Sequence, residues 1–308
     1  MSLDNTSQPG RPGPDELVPS RYALRVGEID VLVISDGVFP LAATTLATNA
    51  DPADLAAWLD DRLQPKDVYK WPLNVVVVRS GGRTVLIDSG AGSEFPAFPG
   101  VGQLATRLDA AGIDLASVTD VVLTHLHVDQ VGGLLADELR GRLRPDVPIH
   151  LAAAEVEFWS SPDFSRNTFG GFPDVLRSAE ERFVDVYRSQ LRPFEKEYEV
   201  APGVMVCRTG GHTLGHSVVR LASGGDRLTF LGDAVFRITS ITPTGTTLST
   251  TTPRRRSASG SVSCGSWRRP ASRWWPLTCR SRPSAGWRSP ATSFVGYRPT
   301  GSTDRLSG

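Results

Sequence analysis

The spacing of apolar positions switches repeatedly between two and three-to-four residues, and each switch marks an element. Residues 21–36 read as two strands around a Gly27-Glu28 turn, ending at Ser35-Asp36-Gly37. Residues 51–63 take helical spacing, with Asp51 in the N-cap position. Asn74-Val75-Val76-Val77-Val78, a Gly81-Gly82 turn and Thr84-Val85-Leu86-Ile87-Asp88 predict a buried hairpin. A helix follows over about 101–112, then an apolar strand at Val121-Val122-Leu123-Thr124. Pro148-Ile149-His150-Leu151 is a short strand leading into a helix through Phe158 and Trp159. The longest helix is expected over 174–192, where Val175, Leu176, Phe183, Val184, Tyr187 and Leu191 recur at roughly helical spacing. Strands resume at 203–208, 216–222 and 227–231. Strand pairs alternating with single helices predict an α/β fold, two sheets face to face with helices outside.

Charge divides the chain where periodicity stops. The formal charge of the 308 residues is zero, but 237–308 holds 12 Arg, no Lys and one acid, Asp304, and so carries +11. Residues 1–236 carry −11. The tail has 14 Ser, 12 Thr and 7 Pro and no apolar period, so it reads as a segment of low order. Three segments are therefore expected: a disordered 1–20, a domain over 21–236, and the 237–308 tail. Met1 to Ser20 lacks the basic start and apolar stretch of a secretory signal, and no run of ~18 apolar residues is present. A cytoplasmic location without membrane contact is the expectation. Cys207, Cys264 and Cys279 form neither a disulfide framework nor a zinc-ribbon spacing.

The candidate chemistry lies at strand ends. His125-Leu126-His127-Val128-Asp129-Gln130, then Val131-Gly132-Gly133, follows the 121–124 strand directly. In a strand-exit loop residues i and i+2 can point the same way, so His125 and His127 can share one cation. Gly211-His212-Thr213-Leu214-Gly215-His216 and Leu231-Gly232-Asp233-Ala234 again stand where strands meet loops. His150 stands on a strand away from these motifs and reads as structural.

Together these motifs resemble the metallo-β-lactamase superfamily, whose first motif usually reads His-x-His-x-Asp-His. The resemblance covers about residues 21–236 and implies an αββα sandwich with metals at one sheet edge. It assigns His125, His127 and His212 to one zinc, Asp129 to a second, and Asp233 to a bridge between them, with Asp129 and Asp233 as the catalytic carboxylates. Asp88, in Ile87-Asp88-Ser89-Gly90-Ala91-Gly92, matches the family's structural aspartate, a loop organiser acting through hydrogen bonds. His216 is expected to hydrogen-bond in its turn and not to bind metal. Phe158 and Trp159 are expected in the core.

Two departures bear on activity. Gln130 stands where the family has a histidine, and an amide oxygen is a weaker zinc ligand than imidazole. The second departure is the tail. An Arg/Trp-rich nucleic-acid segment is one reading, since Trp267, Trp274, Trp275 and Trp287 lie among arginines. Out-of-frame translation of a GC-rich gene explains more: from the third base of each codon, permitted codons let 238–268 end in an amphipathic helix and 274–283 carry a histidine. The family supplies such a histidine as the last ligand of its second metal. The family binds two zinc ions; one is expected here, with Mn or Fe as alternative metals.

Asp233 occupies the position where the best-known zinc β-lactamases carry cysteine, which disfavours antibiotic hydrolysis. His127 stands where flavodiiron proteins need glutamate. The spacing of Asn74, the Asp88 loop, the Glu155–Trp159 helix and Gly211-His212-Thr213 looks most like the lactonase and methyl-parathion-hydrolase-like branch. The expected function is hydrolysis of lactone, ester or organophosphate bonds by a metal-activated hydroxide, impaired in this chain. The expected partner is a small-molecule substrate rather than nucleic acid, with a homodimer allowed for. The alternative is a non-catalytic product, a pseudoenzyme or a poorly folding frameshifted chain.

Overall fold

Val75 to Val78 are all buried, which a strand achieves only when both of its faces are covered. The computed structural model describes residues 20–46, 50–162, 173–234 and 294–297 and shows what covers them. Along the chain run β1 (Arg21–Val26), β2 (Ile29–Ala42), α1 (Ala43–Leu46), α2 (Pro52–Asp61), β3 (Val68–Ser80) and β4 (Arg83–Ile87). Next come α3 (Leu104–Ala110), β5 (Asp120–Val122), α4 (Val128–Leu135), α5 (Asp137–Arg140), β6 (Ile149–Ala152) and α6 (Ala153–Ser160). The remainder is α7 (Pro173–Tyr187), β7 (Leu191–Phe194), β8 (Glu197–Ala201), β9 (Val204–Arg208), β10 (Ser217–Ser223), β11 (Asp226–Phe230) and β12 (Phe294–Tyr297).

Strands β1 to β7 lie side by side in chain order, antiparallel as far as β4 and parallel from β4 to β7. The second sheet has the order β12-β11-β10-β9-β8 and is antiparallel throughout. Val76, Val78, Val85, Ile87 and Val122 pack against Val204, Val206, Val219, Leu221 and Phe230 of the other sheet. Their sequence neighbours Val75, Val77, Leu86, Val121 and Leu123 face away, onto Leu108 of α3, Val131 and Leu134 of α4 and Phe183 of α7. The period-two run thus serves two cores, and each buried valine or leucine contributes about 1.5–3 kcal/mol. The described residues supply the layers α, β and β.

Asp51 caps α2, accepting from the amides of Ala53 (2.8 Å) and Asp54 (3.3 Å), and Pro52 opens the helix. Trp159 is buried in the helix-side core, with Phe158 packed against it.

Several elements differ from the sequence reading. Strand β2 does not end at Gly37: a bulge between Ser35 and Gly37 absorbs Asp36, and pairing with β3 continues to Ala42. The helix expected to 192 ends at Tyr187, and Leu191–Phe194 pairs with β6 instead. Pro193 disfavours helix at Arg192, and the edge position of β7 tolerates a residue without an N–H. Strand β8 gave no sequence signal, because three of its five residues are exposed.

The expectations for 1–19 and for most of 237–308 lie outside the described residues; the Ser20 carbonyl accepts the Ser35 amide (2.8 Å), and within the tail 294–297 pairs with β11. No helix among the described residues is long and apolar enough to cross a membrane.

Candidate metal centre

Strand direction brings the motif residues to one edge. Strands β4 and β5 are parallel, so Asp88 and His125 leave the first sheet at the same end. Strands β9 and β11 are each antiparallel to β10, so they run the same way, and the loops with His212 and Asp233 leave the second sheet together. The Ser217 amide donates to the Thr124 carbonyl (2.8 Å), closing the two sheets over this edge.

There His125 Nε2 lies 2.9 Å from His127 Nδ1, and His212 Nε2 lies 3.0 Å from the same atom. Asp233 Oδ2 stands 3.7 Å from His125 Nε2 and 3.5 Å from His212 Nε2. One ligand atom from each of these four side chains lies within 4.8 Å of the others. The structure thus brings together His125, His127, His212 and Asp233. Asp129 stays outside that group: it sits in the first turn of α4, half-buried, and its Oδ2 accepts from Gln130 Nε2 at 3.0 Å.

Hydrogen bonds on the far side of the rings set their protonation. Asp88 accepts the Thr124 amide (2.8 Å) and hydroxyl (3.0 Å), so the hydroxyl oxygen is left to accept from His125 Nδ1 at 3.1 Å. His125 Nε2 therefore presents a bare lone pair to the cluster. Burial, and then the neighbouring imidazoles, hold His125 and His127 well below the ordinary histidine pKa, so both are neutral at pH 7. His216 lies behind the cluster. Its Nε2 accepts the Asp233 amide (3.1 Å), so its proton is on Nδ1, which donates to Thr209 Oγ1 (2.9 Å).

The carboxylates are held in a matching imbalance. Burial raises Asp233 well above the ordinary range, and Asp129 and Asp88 raise it further. Burial likewise raises Asp88 to about 7 and Asp129 to about 6. Asp233 Oδ2 is buried without a hydrogen-bond donor among the described residues. The bare Nε2 of His125 beside an undonated carboxylate oxygen leaves acceptor facing acceptor, an arrangement that a cation resolves. Three imidazoles and a carboxylate are a donor set that suits zinc, and the nitrogen spacings approach the edges of a tetrahedron built on bonds of about 2 Å. The residues present fit the metal.

Glycines let α4 approach the Asp88 loop. Helix α4 lies backbone to backbone on the Asp88–Gly92 loop: the Gly133 amide donates to the Gly90 carbonyl (2.9 Å), and a Cβ on Gly133 would stand 1.8 Å from the Ser89 carbonyl oxygen. The Ser89 amide and hydroxyl both donate to the Gln130 carbonyl, at 2.8 and 2.6 Å.

The sequence reading gave no role to Thr124, Thr209 or the Glu155 carboxylate. A buried acid in the otherwise apolar start of α6 was the available signal for Glu155. His150 is remote from the cluster. Its Nε2 donates to Asp120 Oδ1 (3.0 Å) and its ring stacks on Tyr198, while Arg83 donates to Asp120 Oδ2.

Solved structures share this fold. The solved structure of AidC, a dizinc quorum-quenching lactonase in complex with a product, has a TM-score of 0.64 and 21% identity, covering 70% of this chain and 75% of that one. The hydrolase AbOPH has a TM-score of 0.61 and 24% identity, with 71% and 75% covered. A probable metal-dependent hydrolase from Staphylococcus aureus has a TM-score of 0.58 and 18% identity, with 73% and 79% covered. No curated protein gives a significant match. The family model of the metallo-beta-lactamase superfamily matches residues 68–264, most of the chain. With that match, and with the motif residues gathered at the edge of two facing sheets, the chain belongs to the metallo-beta-lactamase superfamily.

Proposed function

We propose that the chain is a metal-dependent hydrolase of lactone, ester or organophosphate bonds. His125, His127 and His212 would hold a zinc ion, and Asp233 would complete the donor set from the second sheet. The observation that carries this reading is the convergence of ring nitrogens 2.9 and 3.0 Å apart on an undonated carboxylate oxygen. When bound, the metal would bring the pKa of a coordinated water toward about 7 and polarise a carbonyl or phosphoryl oxygen.

The chain's own residues orient and move protons. Asp88 and Thr124 fix His125 in the tautomer whose Nε2 faces the cluster. His216 holds the Asp233 backbone, and so aims its carboxylate. Asp233 and Asp129 are the carboxylates available to take a proton from the nucleophile and return it to the leaving oxygen. The fold shared with AidC, a lactonase, makes lactones the first substrates to try.

A second observation favours impaired turnover. Gln130 uses its amide N–H on Asp129 (3.0 Å), and its Oε1 is buried with no hydrogen-bond partner among the described residues. A second ion at Asp129 would meet an uncharged amide in place of an imidazole.

The test combines metal analysis of purified protein with hydrolysis assays on an N-acyl homoserine lactone, an aryl ester and an aryl phosphotriester. Bound zinc with slow cleavage of at least one is expected. A protein that takes up no divalent metal and turns over none of the three would be the non-catalytic alternative.

A further inference from the structure

Glu155 is the buried acid that joins the two histidine-bearing loops. It lies in the first turn of α6 and is 1% exposed. Its Oε2 accepts the amide of Leu126 at 3.0 Å, and Leu126 stands between His125 and His127. Its Oε1 accepts the amide of Gly215 at 2.7 Å, in the turn between His212 and His216. One carboxylate thus spans the first-sheet loop and the second-sheet loop, with one oxygen committed to each. Packing enforces the same contact: a Cβ on Gly215 would stand 2.7 Å from both Cγ and the amide nitrogen of Glu155. Glycine at 215 lets the loop close on the start of α6.

We infer that Glu155 is a positioning residue that sets the separation of His125 and His127 from His212, and hence the bite of the three-histidine site. Backbone amides donating to a carboxylate make strong, directional bonds, and a carboxylate is the only common side chain with two equivalent acceptor oxygens for them. Glutamine in its place has one acceptor oxygen and turns an NH2 toward the second amide. One loop would then lose its anchor and shift relative to the other. Both bonds go to backbone amides, so Glu155 acts on the site through the loops it holds. The inference rests on the zinc-site reading above.

The experiment compares the unaltered protein, Glu155→Gln and Glu155→Asp by zinc titration against a competing chelator, and by the visible spectrum of the cobalt-substituted proteins. Loss of a group that orients metal ligands is expected to weaken zinc binding about 10–100-fold in Glu155→Gln. The cobalt spectrum should change with it, because the ligand geometry changes. Glu155→Asp keeps two acceptors on a shorter arm and should fall between the two. Amide hydrogen exchange on the unaltered protein covers the case in which a variant fails to fold: the Leu126 and Gly215 amides should be strongly protected. Equal zinc affinity and an unchanged cobalt spectrum in Glu155→Gln, or rapid exchange of those amides, overturns the clamp and leaves the zinc site standing. If the unaltered protein itself binds no zinc, the site reading falls and the clamp falls with it.

Discussion

His216 Nε2 accepts the backbone amide of Asp233 at 3.1 Å, so a histidine one motif away fixes the residue that faces the three-histidine cluster. Its Nδ1 is tied to Thr209, and the whole side chain is buried. Replacing His216 by alanine should free the Asp233 turn and weaken zinc binding about 10–100-fold, as loss of ligand-orienting partners generally does. A chelator-competition titration reads this directly. Unchanged affinity would mean that the Asp233 turn is held by its own backbone.

Metal stoichiometry tests the reading of Gln130. Purified protein should carry about one zinc per chain, because Asp129 and an amide oxygen make a weak second site. Gln130→His alone should leave that number unchanged, because the chain has no histidine after His216 to serve as the second site's last ligand. Elemental analysis of both proteins decides it, and two tightly held ions in the unaltered chain would show that the glutamine costs little.

Gly133 should tolerate no side chain. A Cβ there would lie 1.8 Å from the Ser89 carbonyl oxygen, on backbone that cannot swing aside. Gly133→Ala should cost about 1–3 kcal/mol by forcing α4 off the Asp88 loop. Urea unfolding measures it, and a loss below about 0.5 kcal/mol would contradict the close approach.

Asp120 supplies a pH prediction away from the metal centre. Burial acts against its ionised form, but hydrogen bonds from His150, Arg83 and Thr119 outweigh it and hold the pKa at about 2, below the ordinary 3.8. A depressed carboxylate stabilises the fold above its unfolded pKa and loses that contribution as pH falls through the folded one. The contribution is about 2 kcal/mol at neutral pH, from slightly under two pKa units. The stability gap between the unaltered protein and Asp120→Asn should therefore narrow as pH drops from about 4 toward 2. Denaturant melts across that range test it, and a constant gap would remove Asp120's charge from the account.

Much of the fold was legible because burial on both faces leaves a plain record. Val75 to Val78 could only be a covered strand, and Asp51 ahead of an apolar-periodic run could only open a helix well. Where burial is partial the record fades. Strand β8 is mostly exposed, and the continuation of β2 past Gly37 depends on a bulge whose side chain, Asp36, is satisfied by the distant amides of Ala91 and Leu104.

The sequence by itself determined which residues are candidates for the chemistry, since two histidines spaced by one residue, a carboxylate and a glycine pair at a strand exit have few other uses. It also located His212 and Asp233 at the ends of later strands. Only the tertiary structure decided which of these residues meet. Asp129, inside the motif, stands outside the four-residue cluster, whereas Asp233, more than a hundred residues after His125, belongs to it. Strand direction in two sheets sets that outcome, and local spacing along the chain carries no information about it. Tertiary structure also supplied the supports: Thr124 under His125, His216 behind Asp233 and Glu155 between the loops. Thr124 and Glu155 are ordinary polar residues in the sequence, and become specific only when burial removes water and leaves few partners for each polar atom.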